Sequence, residues 1–268
     1  VYYPIRGKAW RGRNLAAINV TAKETMRQLD NETGINVKVR SMIPIAVGLG
    51  SSAAVCVATV GAVAKLIGVE LSPREISELA FEGERIIHGN PSGVDNNISS
   101  FGGVMKYEKG KEIERFDFKD PLPFIIGNTN KKRSTRRMVE KVRLLRERNP
   151  VIMDSIIDTM GDISNNGLEE LMSESLDISR IGDLMNLNHG LLSSIGVSTS
   201  ELDALVHASI RGGAAGAKLT GAGGGGCMIA VSEEKLLNKI ERALRRNRGF
   251  TTRVQITNRG VEAKVLET

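Results

Sequence analysis

Pro44-Ile45-Ala46-Val47-Gly48-Leu49-Gly50-Ser51-Ser52-Ala53-Ala54 is the stretch on which the reading of this chain turns. A Gly-rich turn is followed at once by Ala53 to Ile67, which is apolar almost all round and so reads as a buried helix. Glycine lets a backbone approach an anion closely. A helix start adds unpaired N–H groups and the positive end of the helix dipole. Ser51 and Ser52 could cap the helix, donate to phosphate or ligate Mg²⁺. The pattern is not a Walker A loop, because Gly-x-x-x-x-Gly-Lys-[Ser/Thr] is absent. Taken alone, the stretch also admits an ordinary N-capped helix after a tight turn.

Upstream, Asn14 to Leu29 has helical character and Ile35 to Val39 alternates like a strand. Downstream, Gly68 is a plausible helix stop. Ser72-Pro73-Arg74-Glu75 then combines a capping box with proline at the first helical position, and predicts a helix to about Ile87. The loop His88-Gly89-Asn90-Pro91-Ser92-Gly93 breaks it, and Val104 to Tyr107 with Ile113 to Phe118 reads as a hairpin. A boundary is expected near Asp120-Pro121-Leu122-Pro123, giving domains over 1–119 and 120–268. Beyond it a short strand at Phe124 to Ile126, a charged helix from Ser134, two or three helices over 150–212, a helix from Glu233 to Arg246 and strands near 251–257 and 261–266 are expected. Mixed strands and helices in two halves suggest α+β.

Two further elements carry chemistry. Glu84 lies late in one helix and Asp95 follows the sharp turn after it. Two carboxylates near a phosphate loop suit phosphoryl transfer, one holding Mg²⁺ and the other accepting the proton of a substrate hydroxyl. Glu82, two residues from Glu84, faces elsewhere on the helix. Each carboxylate alone also fits a solvated helix charge or a cap. The other element is Lys218-Leu219-Thr220-Gly221-Ala222-Gly223-Gly224-Gly225-Gly226-Cys227. Linkers are usually flanked by polar residues, whereas these flanks look buried. The glycines therefore read as backbone passing tightly beside a ligand or another chain segment, with Thr220 able to donate to substrate or phosphate.

Bulk composition, 41% hydrophobic and 25% charged with a formal net charge of +6, is ordinary for a soluble, well-packed protein. The basic runs Lys131-Lys132-Arg133 and Arg245-Arg246 are not interleaved with aromatics, so nucleic-acid binding is not expected. No apolar run is long enough to span a membrane, and the first residues do not read as a signal peptide. Cys56 and Cys227 stand alone in apolar or Gly-rich surroundings, which suits reduced thiols in the cytoplasm. The three histidines have no metal-ligand spacing.

Together the three elements resemble the GHMP kinases. Ile43 to Ala54 is similar to their ATP-phosphate loop, and Lys218 to Cys227 to their C-terminal Gly-rich motif. Gly83-Glu84-Arg85-Ile86-Ile87-His88-Gly89-Asn90-Pro91-Ser92-Gly93-Val94-Asp95-Asn96 resembles the mevalonate kinase branch more than its relatives. The resemblance implies a ribosomal-protein-S5-like N-terminal domain, a ferredoxin-like C-terminal domain and transfer of the ATP γ-phosphoryl group to the C5 hydroxyl of (R)-mevalonate in isoprenoid biosynthesis. It implies Asp95 as the base, Glu84 and Ser52 as Mg²⁺ ligands, and Gly48, Leu49, Gly50, Ser51, Ser52 and Ala53 as the ATP-phosphate cradle. It also implies Thr220 as a substrate-side hydroxyl, and a homodimer. Ala46 stands where glycine is frequent. The family's first motif, a strand and loop with an active-site lysine and Gly-Glu-His, is not visible around Lys8 or Lys23. That departure implies a fragment or a truncated member with weaker ATP binding or slower catalysis. It also keeps open a related kinase, such as one acting on phosphomevalonate, and a non-catalytic nucleotide- or metabolite-binding regulator.

Overall fold

The computed structural model describes residues 2–4, 13–41, 43, 49–88, 91–108, 110–118, 122–131 and 134–265. These residues form two compact units.

The first unit is built on four helices: α1 (Arg13–Gln28), α2 (Ser51–Leu66), α3 (Pro73–His88) and α4 (Val94–Phe101). Two small antiparallel pairs accompany them, β1 (Tyr2–Pro4) with β2 (Asn36–Lys38) and β3 (Val104–Lys106) with β4 (Glu114–Phe116). The all-round apolar character of α2 is explained by burial: Cys56, Val57 and Val60 pack with Ala17 of α1 and with Ile76 and Ala80 of α3. The small residues of α2 keep its neighbours close, and each fully buried Val contributes about 1.5–3 kcal/mol. The capping box at α3 forms as the sequence predicts. The Ser72 N–H and hydroxyl both donate to the Glu75 carboxylate at 2.7 Å, and the Glu75 N–H donates back to the Ser72 hydroxyl at 3.3 Å.

The second unit carries β5 (Pro123–Asn128), α5 (Thr135–Arg148), α6 (Pro150–Leu171), α7 (Ile178–Ser194), α8 (Ser200–Arg211), β6 (Gly216–Leu219), β7 (Cys227–Val231), α9 (Leu237–Arg246) and β8 (Phe250–Gln255). Its sheet has the order β6-β7-β5-β8 with every pair antiparallel. Reduced to this sheet, the connectivity is that of a ferredoxin-like split βαβ, with several helices inserted after its first strand. One face buries Ile125, Ala217, Leu219, Met228 and Ala230 against α8 and α9, whose Leu205, Ile240 and Leu244 are almost fully covered.

One expectation about the C-terminal region is corrected: no strand forms at 261–265. The tail from Thr257 groups with the first unit. The Val261 N–H donates to the Ser100 carbonyl at 3.1 Å, and the Gly103 N–H donates to the Thr257 carbonyl at 2.7 Å. A Cβ at Gly61 of α2 would lie 3.2 Å from the Val261 side chain, and one at Gly260 would lie 1.9 Å from the Ser100 carbonyl. Val261 and Ala263 thus lie on α2 without strand pairing, while Val265 is exposed. Among the described residues no helix is long and apolar enough to cross a membrane.

Candidate active site

Gly50 is the pivot of the first Gly-rich loop. It precedes α2 in the left-handed conformation (φ 65, ψ 18), and its carbonyl accepts the Ala54 N–H at 2.9 Å. Gly50, as the N-cap residue, brings no side chain to cap α2, and the positive end of the helix dipole lies at this turn. Ser51 and Ser52 lie half-buried in that first turn and Ala53 is buried. The Asp95 carboxylate lies against this point. A Cβ at Gly50 would sit 3.3 Å from Asp95 Cγ and 3.4 Å from Oδ1. Glycine here provides both a left-handed turn and the room for a carboxylate at a helix N-terminus. Leu49 is half-buried; Gly48, also expected in the cradle, lies outside the described residues.

Asp95 reaches that position from the first turn of α4, which opens at Gly93 (φ 80). The Gly93 carbonyl accepts both the Asn97 N–H at 3.1 Å and the Asn97 side-chain amide at 2.8 Å, which tightens the turn. Asp95 itself is exposed, as a group that must meet a ligand has to be. The next residue, Asn96, points the other way and is wholly buried.

Glu84 of α3 is the second carboxylate, and it is not a solvated helix charge: only 6% of it is exposed. The Asn96 amide satisfies its surroundings with its nitrogen toward α3. It then donates to Glu84 Oε2 at 3.3 Å, and its oxygen accepts the Phe81 N–H at 3.3 Å. Glu82, by contrast, pairs with Arg85 at 2.7 Å on the surface, as its helix position predicts. Gly83 permits the close packing behind Glu84, since a Cβ there would lie 2.2 Å from Thr21 Oγ1 of α1. The Cys56 thiol, one turn along α2 from Ser52, is pushed up to about 11, mainly by burial and further by the Glu84 charge. A buried carboxylate therefore faces the core near α2, while an exposed one stands at the start of α2.

The second Gly-rich segment lies in the other unit. Thr220 is half-buried at the end of β6, where its N–H donates to the Cys227 carbonyl at 3.0 Å. Beyond it, Gly221 and Gly223–Gly226 all adopt positive φ. What they meet is protein. A Cβ at Gly223 would lie 2.2 Å from the Val197 carbonyl, and one at Gly224 would lie 2.8 Å from Met138 Sδ. The Gly224 N–H donates to that same Val197 carbonyl at 2.8 Å, and the Gly226 carbonyl accepts the Thr129 N–H and hydroxyl at 2.9 and 3.0 Å. Close passage beside another chain segment is seen at Gly223 and Gly224.

Helix α7 closes the free edge of β6 in the same unit. Gly182 lies so close that a Cβ would meet the Ala215 carbonyl carbon at 2.4 Å. The Asn186 amide accepts the Ala217 N–H at 3.0 Å and donates to the Ala215 carbonyl at 3.2 Å. His189 Nδ1 accepts the Leu219 N–H at 3.4 Å, while Nε2 lies 3.3 Å from Asp203 Oδ1, which also accepts the Ser198 hydroxyl. Burial lowers the His189 pKa, against the opposing pull of Asp203. Asn186 and His189 thus cover backbone groups that an edge strand would otherwise expose. Lys218 is held by the Leu219 carbonyl at 3.1 Å, and burial lowers its pKa.

The first unit brings together Gly50, the start of α2 and Asp95, with Glu84 behind them; Thr220 belongs to the second unit. Sequence reasoning did not single out Asn96. Its only signal was a helix position 100° round from Asp95. Of the basic run, Lys131 pairs with Glu201 at 3.5 Å, and Lys132 and Arg133 lie outside the described residues. Among the described residues no group of three or more His, Cys, Asp or Glu is gathered as a protein-only metal site.

Comparison with known proteins places these features in a family. Residues 15–103 match the GHMP kinases N terminal domain, and residues 168–249 match the GHMP kinases C terminal domain. A mevalonate kinase of Thermococcus sibiricus is 44% identical over 222 residues, 82% of this chain and 65% of that protein. One of Pyrococcus furiosus is 40% identical over 249 residues, 92% of this chain and 73% of that protein. Among solved structures, L. major mevalonate kinase in complex with R-mevalonate superposes with a TM-score of 0.80 at 26% identity, covering 93% of this chain and 79% of that one. Methanococcus jannaschii mevalonate kinase gives 0.78 at 28% identity, covering 91% and 75%. The chain spans 65% and 62% of the length of the Thermococcus sibiricus and Thermococcus gammatolerans relatives. By its two matched domains and its identity to these relatives, the chain belongs to the GHMP kinase family, within its mevalonate kinase branch.

Proposed function

We propose that this chain carries the phosphoryl-transfer site of an ATP-dependent kinase that phosphorylates the C5 hydroxyl of (R)-mevalonate, giving 5-phosphomevalonate and ADP. The observation that carries the reading is the Asp95 carboxylate lying against Gly50, at the N-terminus of α2. Phosphate oxygens held by the N–H groups of that turn would bring the γ-phosphoryl group next to a carboxylate able to take a hydroxyl proton. Asp95 is the base in this reading. The backbone of the loop through Ala53 is the cradle, and Thr220 is a hydroxyl donor on the substrate side. The relatives named as mevalonate kinases support mevalonate as the acceptor.

Mg²⁺ fits the donor set: the buried Glu84 carboxylate and the Ser52 hydroxyl are hard oxygen ligands of the kind that hold this ion beside nucleotide phosphates. When bound, it would neutralise charge shared by the β- and γ-phosphates. The remaining chemistry is positioning, with Asp95 oriented by the α4 turn and water kept from Glu84 by the packing of α1, α2 and α3. The family resemblance extends the reading to a cytoplasmic enzyme that forms a homodimer.

The test is ADP release by this chain with ATP, Mg²⁺ and a panel of mevalonate, phosphomevalonate, homoserine and galactose. Release dependent on mevalonate alone supports the reading. Release with another acceptor would move the site to another GHMP kinase activity, and nucleotide binding without turnover on any acceptor would favour a regulatory role.

A further inference from the structure

We infer that Asn96 is a positioning residue for Glu84, so that the first turn of α4 sets both carboxylates at once. The inference rests on the reading of Glu84 as a metal-holding carboxylate. Consecutive residues of a helix point about 100° apart. Asp95 uses its direction to face Gly50. Asn96 uses the next to enter the interface with α3, where it is fully buried.

Its amide holds two points on α3, one turn apart: the Phe81 N–H through its oxygen and Glu84 Oε2 through its nitrogen, each at 3.3 Å. The first contact fixes the amide plane relative to the α3 backbone; the second fixes one Glu84 oxygen relative to that plane. Asn96 thereby restrains one oxygen of a carboxylate on a flexible two-methylene stem, buried to 6% exposure. Asparagine suits the position because it donates to the carboxylate and accepts from the backbone without adding charge. Aspartate would set a second carboxylate against Glu84. An apolar residue would remove the contact to Glu84 Oε2 and the second acceptor at the Phe81 N–H. Residues that orient a metal ligand typically alter metal affinity about 10–100-fold when removed.

The experiment titrates Mn²⁺ into the chain with ADP, followed by electron paramagnetic resonance, for the parent, Asn96→Ala, Asn96→Ser, Glu84→Ala and the Glu84→Ala/Asn96→Ala pair. ADP affinity without metal and the melting temperature are measured beside it. Asn96→Ala is expected to weaken Mn²⁺ about tenfold or more, leave metal-free ADP affinity unchanged, and add nothing on the Glu84→Ala background. Asn96→Ser, smaller and able to keep one donor, covers the case in which the alanine variant does not fold, and is expected to weaken Mn²⁺ in the same direction. If Glu84→Ala weakens Mn²⁺ while folded Asn96 variants do not, the positioning role is overturned and the metal reading stands. If the Asn96 loss is equally large on the Glu84→Ala background, Asn96 does not act through Glu84. If Glu84→Ala leaves Mn²⁺ affinity as it was, or the parent shows no Mn²⁺–ADP binding, the metal reading fails and this inference with it.

Discussion

The two Gly-rich segments look alike as composition and differ in what their glycines meet. At Gly50 the missing Cβ makes room for a carboxylate, Asp95, beside the start of α2. At Gly223 and Gly224 it makes room for protein, the Val197 carbonyl and the Met138 thioether. The first opening lies at a helix start beside an exposed carboxylate, and the second is filled by the Val197 backbone and the Met138 side chain. Glycine therefore marks close approach in both places, but only its neighbour tells whether the approach serves chemistry or folding.

Substitutions can break this contrast. The largest effect is expected for Asp95→Asn, which should lower kcat by about 10²–10⁴-fold while nucleotide affinity by fluorescence titration stays near the parent value. A near-parental rate would remove the first segment from the chemistry. Next come the glycines themselves. Gly50→Ala should cost about 1–2 kcal/mol of stability from its left-handed backbone and reduce turnover disproportionately, because the new methyl crowds Asp95. Gly223→Ala adds backbone strain to a collision with a carbonyl and should cost about 2–5 kcal/mol, read as a loss in denaturant midpoint or as failure to fold. If both variants lost stability equally with no excess loss of activity at Gly50, the contrast would be false.

A subtler probe addresses what braces the second segment. The folded pKa of His189 lies below its unfolded value because burial disfavours the imidazolium. The unfolded chain thus binds the extra proton first as pH falls. The contribution of neutral His189 is whole above about pH 6.5 and is lost as pH drops from there toward the lowered folded value. Thermal melts from pH 7.5 to 5 should show falling stability, with a shallower fall in His189→Gln. An unchanged slope would detach His189 from the bracing of β6. The smallest effect concerns Cys56 behind the first segment. With its thiol pushed up to about 11 and no exposed surface, it should react with iodoacetamide at pH 8 only after unfolding.

Local signals were legible in the sequence. The apolar run of α2 and the capping box at Ser72 follow from spacing alone, and the structure forms both. The candidate carboxylates were legible as residue types near a phosphate loop, but their environments were not. Glu84 and Glu82 differ by two positions on one helix, and only the packing of α1, α2 and α4 buries one and leaves the other with Arg85. Asn96 was invisible for the same reason, since its partners Phe81 and Glu84 are brought to it by the turn at Gly93. Alternation near 261–266 suggests a strand, but it does not say what covers Val261 and Ala263. Their cover is Gly61 of α2, nearly two hundred residues earlier. The neighbours of the second glycine run, Val197 and Met138, are likewise set by tertiary packing that no local pattern encodes.

The most direct test of the central claim is transfer of label from γ-labelled ATP to (R)-mevalonate by this chain and by its Asp95→Asn variant, with the product identified by mass spectrometry. Label in 5-phosphomevalonate from the parent and its near-complete loss in the variant is the expected result. Equal transfer by both, or label carried to a different acceptor, would contradict the assignment of Asp95 at the Gly50 loop as the base of a mevalonate kinase.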